Sequence, residues 1–268
     1  MKILLTGHEG CIGSHLFKFL EEKGEEVVGF EGDIRDWNNW TKYVDTKWDV
    51  LIHLAAIPGV RKSFEIPEEY YDNNVNGTRN ALTFGTMCCD KHLYASSSNA
   101  YEWYGNPYAA TKKMCEVAAE DHLNAKGMRF HTVWPGRDDM LYKKLERGEV
   151  TYINAKHYRD WVHVNDLCSA IWTIIINWAT LDKKVLDIGT GKSFNVLEMA
   201  QKRFNWEGEI RHENPKGERV HTQANVEYLY KLGWEPKNEI ILNNSKKTKK
   251  GGLHWFKHMT KWLYQIRR

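Results

Sequence analysis

The chain has 268 residues, 42% of them hydrophobic and 27% charged, and a formal net charge of +3. That length suits one large α/β unit or a nucleotide-binding unit with a small cap, and no apolar run is long enough to span a membrane. Residues 245–268 hold eight Lys or Arg and no acid, which leaves 30 basic against 35 acidic residues elsewhere, so the main body does not have the charge of a nucleic-acid binder.

The chain opens with a short apolar run, Ile3-Leu4-Leu5, that reads as a buried strand. It turns through Thr6-Gly7-His8-Glu9-Gly10-Cys11-Ile12-Gly13 into a helix with Leu16, Phe19 and Leu20 on one face. Each glycine has a task. Gly7 turns off the strand, Gly10 leaves the backbone open to a pyrophosphate, and Gly13 lets the helix pack close to the sheet. The helix N-terminus adds unpaired N–H groups and its dipole, and Cys11 and Ile12 lie within that first turn. The pattern predicts a dinucleotide site.

Glu25 to Phe30 reads as a second parallel strand ending at Glu31, 24 positions after Gly7. A carboxylate there accepts hydrogen bonds from the adenosine ribose and repels a 2′-phosphate, so it favours NAD over NADP. The competing reading is a solvated strand-end charge; the register favours the first. Asp36 is placed to cap a helix running to about Thr46. Trp48 to Ala56 is a further strand, and the small residues at its end, Ala55-Ala56 after Leu54, leave room for a cofactor backbone, with all three as candidate contacts. A long helix is expected over 67–87, with Cys88-Cys89 at its buried end.

His92 to Ala95 is a short strand leading into Ser96-Ser97-Ser98-Asn99. Tyr108-Ala-Ala-Thr-Lys112 opens a helix through Asn124, with Tyr108 and Lys112 on one face. Arg129 to Val133 is the next strand, closed by Pro135-Gly136. Five βα units predict an α/β, Rossmann-type doubly wound parallel sheet with ligands at the carboxyl ends of its strands. In the last third, Arg159 to Val164 is a strand, Asp166 caps a helix to Trp178, and Lys184 to Ile188 is a strand. Helix 195–204 and the region ending at Leu232-Gly-Trp-Glu-Pro236 complete a small C-terminal substrate-binding cap. The expected division is 1–136 with 157–190 for the nucleotide domain, 137–156 and 191–244 for the cap, and 245–268 for a basic linker and amphipathic helix. Trp255, Phe256, Met259, Leu263 and Ile266 recur there at helical spacing; the helix either docks on the cap or lies on an acidic membrane surface. The five cysteines show no framework spacing and the N-terminal apolar run is too short for a signal peptide, so a cytoplasmic protein is expected. The twelve histidines show no metal spacing, and no metal is expected.

As a set, these features resemble the extended short-chain dehydrogenase/reductase family, the NAD-dependent nucleotide-sugar epimerases and dehydratases. The resemblance rests on Thr6-Gly-x-x-Gly-x-x-Gly13, the Tyr108-x-x-x-Lys112 pair and Ser97. Tyr70 to Thr78 is similar to a segment of UDP-galactose 4-epimerases, and Arg159 to Val164 and Leu232 to Pro236 match two later family segments. The resemblance implies that Asp33 and Ile34 contact the adenine, that Asn73 and Pro135 lie on the cofactor side, and that Ser98 faces the substrate. It assigns Arg159 to the substrate's diphosphate, with Lys216 and Arg219 near the place of a second expected arginine. A homodimer is expected.

Free tyrosine titrates near roughly pH 10, too high for a base at neutral pH. The Lys112 ammonium and the nicotinamide ring favour the phenolate, so Tyr108 removes a proton from a sugar hydroxyl while hydride leaves the same carbon for NAD⁺. Ser97 holds that hydroxyl. Family 4,6-dehydratases carry an acid two residues after this serine; Asn99 stands there. That points to an NAD-dependent epimerase of a nucleotide-activated sugar, acting at C4 through a 4-keto intermediate. Two alternatives stay open: an NAD(P)H-dependent keto-sugar reductase or epimerase-reductase, and an inactive dinucleotide-binding scaffold. The sequence departs from the family in an almost absent β2–β3 loop and in the missing asparagine before Pro135, where Trp134 or Thr132 stands.

Overall fold

The computed structural model describes residues 1–213 and 215–240. The basic segment 245–268 and its two alternative placements lie outside the described residues. The elements in chain order are β1 (Lys2–Thr6), α1 (Cys11–Glu22), β2 (Glu26–Gly29), α2 (Trp37–Thr41), β3 (Trp48–His53), α3 (Val60–Glu65), α4 (Pro67–Tyr70), α5 (Gly77–Cys88) and β4 (Cys89–Ser97). There follow α6 (Pro107–Ala118), β5 (Ala125–Phe130), β6 (Thr132–Trp134), α7 (Leu141–Glu146), β7 (Tyr152–Asn154), β8 (Tyr158–His163), α8 (Val164–Ile176), β9 (Val185–Ile188), β10 (Ser193–Asn195), α9 (Val196–Phe204), β11 (Glu209–Arg211) and α10 (Glu227–Lys231).

Six strands form a wholly parallel sheet in the order β2-β1-β3-β4-β5-β9. The order reverses between β1 and β3, so the loops after these strands leave in opposite directions and open a crevice at their carboxyl ends. In β1 the side chains alternate between two cores. Ile3 and Leu5 join Leu16, Leu20, Leu167 and Ile171 under α1 and α8, whereas Leu4 joins Phe30, Trp40, Leu51 and Phe84 under α2 and α5. Both faces are covered, which is why these strands read as continuous apolar runs. A smaller lobe holds β6, β8 and β10 in one sheet and β7 with β11 in another. Its core is Trp134, Tyr142, Leu145, Ile153, Trp161, Val196 and Met199. Among the described residues no helix is long and apolar enough to cross a membrane.

Several boundaries differ from the sequence reading. Asp36 does cap α2, accepting from the Asn38 amide at 3.0 Å, but the helix ends at Thr41. The long helix over 67–87 is α4 and α5 joined through a π-helical turn, Tyr71–Asn76. The 129–133 strand is two strands in different sheets, because the chain leaves the main sheet at His131 to enter the smaller lobe. The cap of α8 is His163, whose Nδ1 accepts from the Asn165 amide; Asp166 instead takes the Asn238 backbone and side-chain N–H at 2.8 and 2.9 Å.

Candidate active site

The glycine loop is held by close approach. Gly7 has φ +70°, and a Cβ on it would stand 2.7 Å from the Ala55 nitrogen. A Cβ on Gly13 would stand 1.9 Å from the Gly7 carbonyl oxygen, so only glycine lets α1 start here. A Cβ on Gly10 would meet only that carbonyl oxygen, at 3.1 Å, and otherwise open space. The bare backbone there fits a pyrophosphate at the start of α1. Below the loop, His53 joins Thr6 Oγ1 at 2.8 Å to Thr78 Oγ1 at 3.2 Å, and the Ala55 amide donates to Thr6 Oγ1. Burial, then the charges of His92 and Lys112, hold His53 far below its ordinary value, so this link is neutral.

One cavity of about 390 Å³ opens at the crevice. Gly7, Gly10, Cys11, Ile12, Gly13, Leu54 and Ala56 line one side, and Ser97, Ser98, Asn99, Tyr108 and Lys112 line the other. Ser97 ends β4. Tyr108 stands in the first turn of α6, where the Asn106 side chain caps the helix by accepting from the Ala109 amide at 2.7 Å. Lys112 is buried and donates to the Ala95 carbonyl at 2.9 Å. Tyr70 packs edge-on to Tyr108 at 6.2 Å, its hydroxyl on the Pro58 carbonyl. Burial raises Tyr70 to about 12, so it stays a phenol.

The other predicted residues lie outside the cavity lining. Glu31 is exposed at the end of β2, with His8 Nε2 3.7 Å away. The His8 ring lies over Gly29, where a Cβ would be 2.7 Å from three ring atoms. Asp33 binds Arg35 through both carboxylate oxygens, and that hydrogen bonding holds it below its usual value. The Ile34 side chain is buried in the core beneath Gly77, and its carbonyl accepts from Trp40 and Asn80. The expected contact of Ile34 with an adenine would therefore fall to its backbone, since the side chain is buried. Asn73 is half-buried beside Asn74. Asn74 is the buried member of the pair: it joins the Ile57 backbone to Thr111 Oγ1 of α6. Ala55 and Pro135 flank the lining; Gly136 and Arg137 enter it.

Arg159, Lys216 and Arg219 gather beside the cavity. Arg159 Nη1 donates to the Tyr158 and Val220 carbonyls at 2.8 and 3.1 Å. Arg219 donates to the Ser98 carbonyl at 2.6 Å and to Glu102 at 3.0 Å. Lys216 Nζ sits 5.1 Å over the Phe64 ring. Between them, Glu218 accepts from Arg61 at 2.8 Å and lies 3.8 Å from His157 Nδ1. Burial pulls Arg159 down to about 10, opposed by Glu218 and reinforced by Arg219. The region carries more cation than anion.

Several lining residues lie beyond those the sequence singled out, Arg137 the only charged one among them. Arg137 reaches the cavity with its fork on Asp139, at 2.9 and 3.1 Å. Thr132 lines it on the β6 side. Thr132 is one of the two positions that could stand for the family's asparagine, and for Arg137 the only signal was its nearness to Pro135.

Residues 3–189 match the family model described as NAD dependent epimerase/dehydratase family. Protein CapI of Staphylococcus aureus is 28% identical over 90% of this chain and 95% of its own. The match runs over 322 positions, more than the 268 residues of this chain, so it includes gaps opposite CapI residues. A probable UDP-glucuronate 4-epimerase of Rhizobium meliloti is 31% identical over 64% of this chain and 67% of its own. The solved structure of MoeE5 in complex with UDP-glucuronic acid and NAD superposes with a TM-score of 0.74 at 25% identity, covering 90% of this chain and 95% of that one.

Proposed function

The chain belongs to the NAD dependent epimerase/dehydratase family, and from that premise we propose that it epimerises a nucleotide-activated sugar at C4 through a 4-keto intermediate. NAD is its cofactor and supplies the reversible two-electron exchange at the sugar carbon. The observation that carries the reading is the single cavity in which Ser97, Tyr108 and Lys112 face the glycine loop. Tyr108 takes the proton of the C4 hydroxyl and later returns it. Lys112, tethered to the Ala95 carbonyl, brings a fixed amine head group to the same cavity. Ser97 holds the sugar oxygen. Asn99, where a dehydratase would carry an acid, has an amide and no acidic proton to transfer to a leaving hydroxyl, which supports epimerisation over dehydration.

The sugar we propose is a uronate. Arg137 brings a planar, permanently charged guanidinium to the cavity, where a substrate carboxylate would replace or share its exposed partner Asp139, and the Rhizobium relative is named for glucuronate. The diphosphate is assigned to the Arg159 and Arg219 cluster, and the smaller lobe acts as the substrate cap. We also assign homodimer contact to the outer face of α6, where Met114 and Val117 are exposed one turn apart.

The test is to incubate the purified protein with UDP-, GDP- and dTDP-sugars, UDP-glucuronate among them, without added cofactor. Epimer formation without net reduced nicotinamide is expected. Turnover only with added NAD(P)H would instead identify a keto-sugar reductase, and tight NAD binding without turnover a scaffold.

A further inference from the structure

Ser97 Oγ receives two hydrogen bonds, both from Asn99. The Asn99 backbone N–H lies at 3.2 Å and its side-chain Nδ2 at 3.3 Å. A hydroxyl oxygen has two acceptor sites and one proton. Asn99 fills both sites, so donation is the one hydrogen-bonding act left to Ser97. The neighbouring buried carboxylate does not compete for that proton: Glu116 already takes Ser96 Oγ at 2.7 Å and Arg129 at 2.7 Å through each oxygen. Ser97 is 5% exposed, and both it and Asn99 line the cavity that holds Tyr108.

We propose that Asn99 is a positioning residue that fixes Ser97 as a one-way donor to the sugar oxygen deprotonated by Tyr108. This rests on the nucleotide-sugar reading above. It has two consequences. The substrate hydroxyl proton has a single exit, because Ser97 cannot receive it. The Ser97 O–H also stays on the sugar oxygen as negative charge builds there, which is where a preorganised donor lowers the barrier. An amide does this at every working pH. An ionised carboxylate in its place would accept the Ser97 proton and turn the hydroxyl away from the sugar.

The test compares Asn99→Asp and Asn99→Ala with the wild type in the NAD-loaded enzyme, measuring kcat and KM across the carboxyl titration range, roughly pH 4 to 8. Asn99→Asp should lose on the order of 10²-fold in kcat at the upper end, the loss typical of one misdirected oxyanion donor. It should recover as pH falls and the new carboxyl gains a proton to donate. Asn99→Ala keeps the backbone bond and should lose roughly three- to tenfold, the weight of one hydrogen bond, with a pH profile like the wild type's. Wild-type turnover combined with a flat Asn99→Asp profile, or with an undiminished kcat in Asn99→Ala, would overturn the positioning role while leaving the function standing. If Asn99→Asp fails to fold, the kcat of Asn99→Ala decides. A wild-type protein that turns over no sugar would overturn both readings.

Discussion

In the cavity, the groups proposed to react hang on regular elements. Ser97 ends a strand, Tyr108 and Lys112 share one face of α6, and the glycine loop is clamped between β1 and β3. In the arginine cluster beside it, Arg159 sits on a strand of the smaller lobe, whereas Glu218 and Arg219 stand in a segment without regular structure. The cavity groups are placed by backbone geometry, and their partners are mostly backbone: Lys112 on Ala95, Asn106 on Ala109. The cluster's arginines also donate to backbone carbonyls, of Tyr158, Val220 and Ser98, but its ion pairs have exposed partners. Arg61 is 71% exposed in its pair with Glu218, and Glu102 47% in its pair with Arg219. Spacing along an element therefore predicts the first region well. The second depends on which loop reaches which side chain.

The largest expected effect falls on the cavity. Tyr108→Phe should lower kcat by roughly 10²- to 10⁴-fold, the usual weight of a general base, while NAD stays bound. Product formation and nicotinamide content measure the two separately, and unchanged rates would remove Tyr108 from the chemistry.

Next is a residue that ties the two lobes. Asp160 is fully buried and accepts from the Thr190 amide and hydroxyl and from the Gly191 and Ala224 amides, at 2.7 to 3.0 Å. Asp160→Ala would orphan these donors at once, at a cost of about 3 kcal/mol or more in stability. A urea unfolding midpoint equal to the wild type's would refute this.

Acid should also unfold the protein earlier than its carboxylates alone require. Burial lowers His53 well below its ordinary value and His92 to about 3. The unfolded chain binds these protons near pH 6.5 and the folded chain does not until far lower. Stability is thus whole above pH 6.5 and falls as pH drops below it, by about 1.4 kcal/mol per pH unit for His92 down to about 3, with His53 adding to the fall in the same direction. Replacing His92 with Leu should flatten the slope measured by denaturation between these limits.

The smallest effect belongs to the cluster. Glu218 supplies an internal anion where the diphosphate is assigned, so Glu218→Gln should tighten UDP by up to about fivefold, the range of a partly exposed ion pair. Titration calorimetry reads this directly. Weaker binding would mean that Glu218 orients the arginines instead of competing for them.

Much of the site was legible from residue order because its chemistry follows fixed periods. Glycines three apart, a phenol and an ammonium four apart, and a serine at a strand end come together once strand and helix form. Asn73 and Asn74 show where this fails. The π-helical turn shifts the helical register, so spacing could not tell which of the two faces inward. Ile34 lies beside the charged Asp33 yet is drawn into the core by the space above Gly77, which no local pattern reports. Arg137 and Asp160 were invisible as functional or tying residues because their partners lie in other segments.

The amino-acid order by itself determined the strand–glycine–helix opening, the parallel α/β class and the trio of serine, tyrosine and lysine, because each is written in local spacing and in the conformational needs of glycine. Tertiary structure alone decided that the sheet has the order β2-β1-β3-β4-β5-β9, that Asn99 fills both acceptor sites of Ser97, and that a carboxylate sits among the arginines of the smaller lobe. Those outcomes depend on which distant surfaces meet, and hydrogen bonds and charges act across space without regard to distance along the chain.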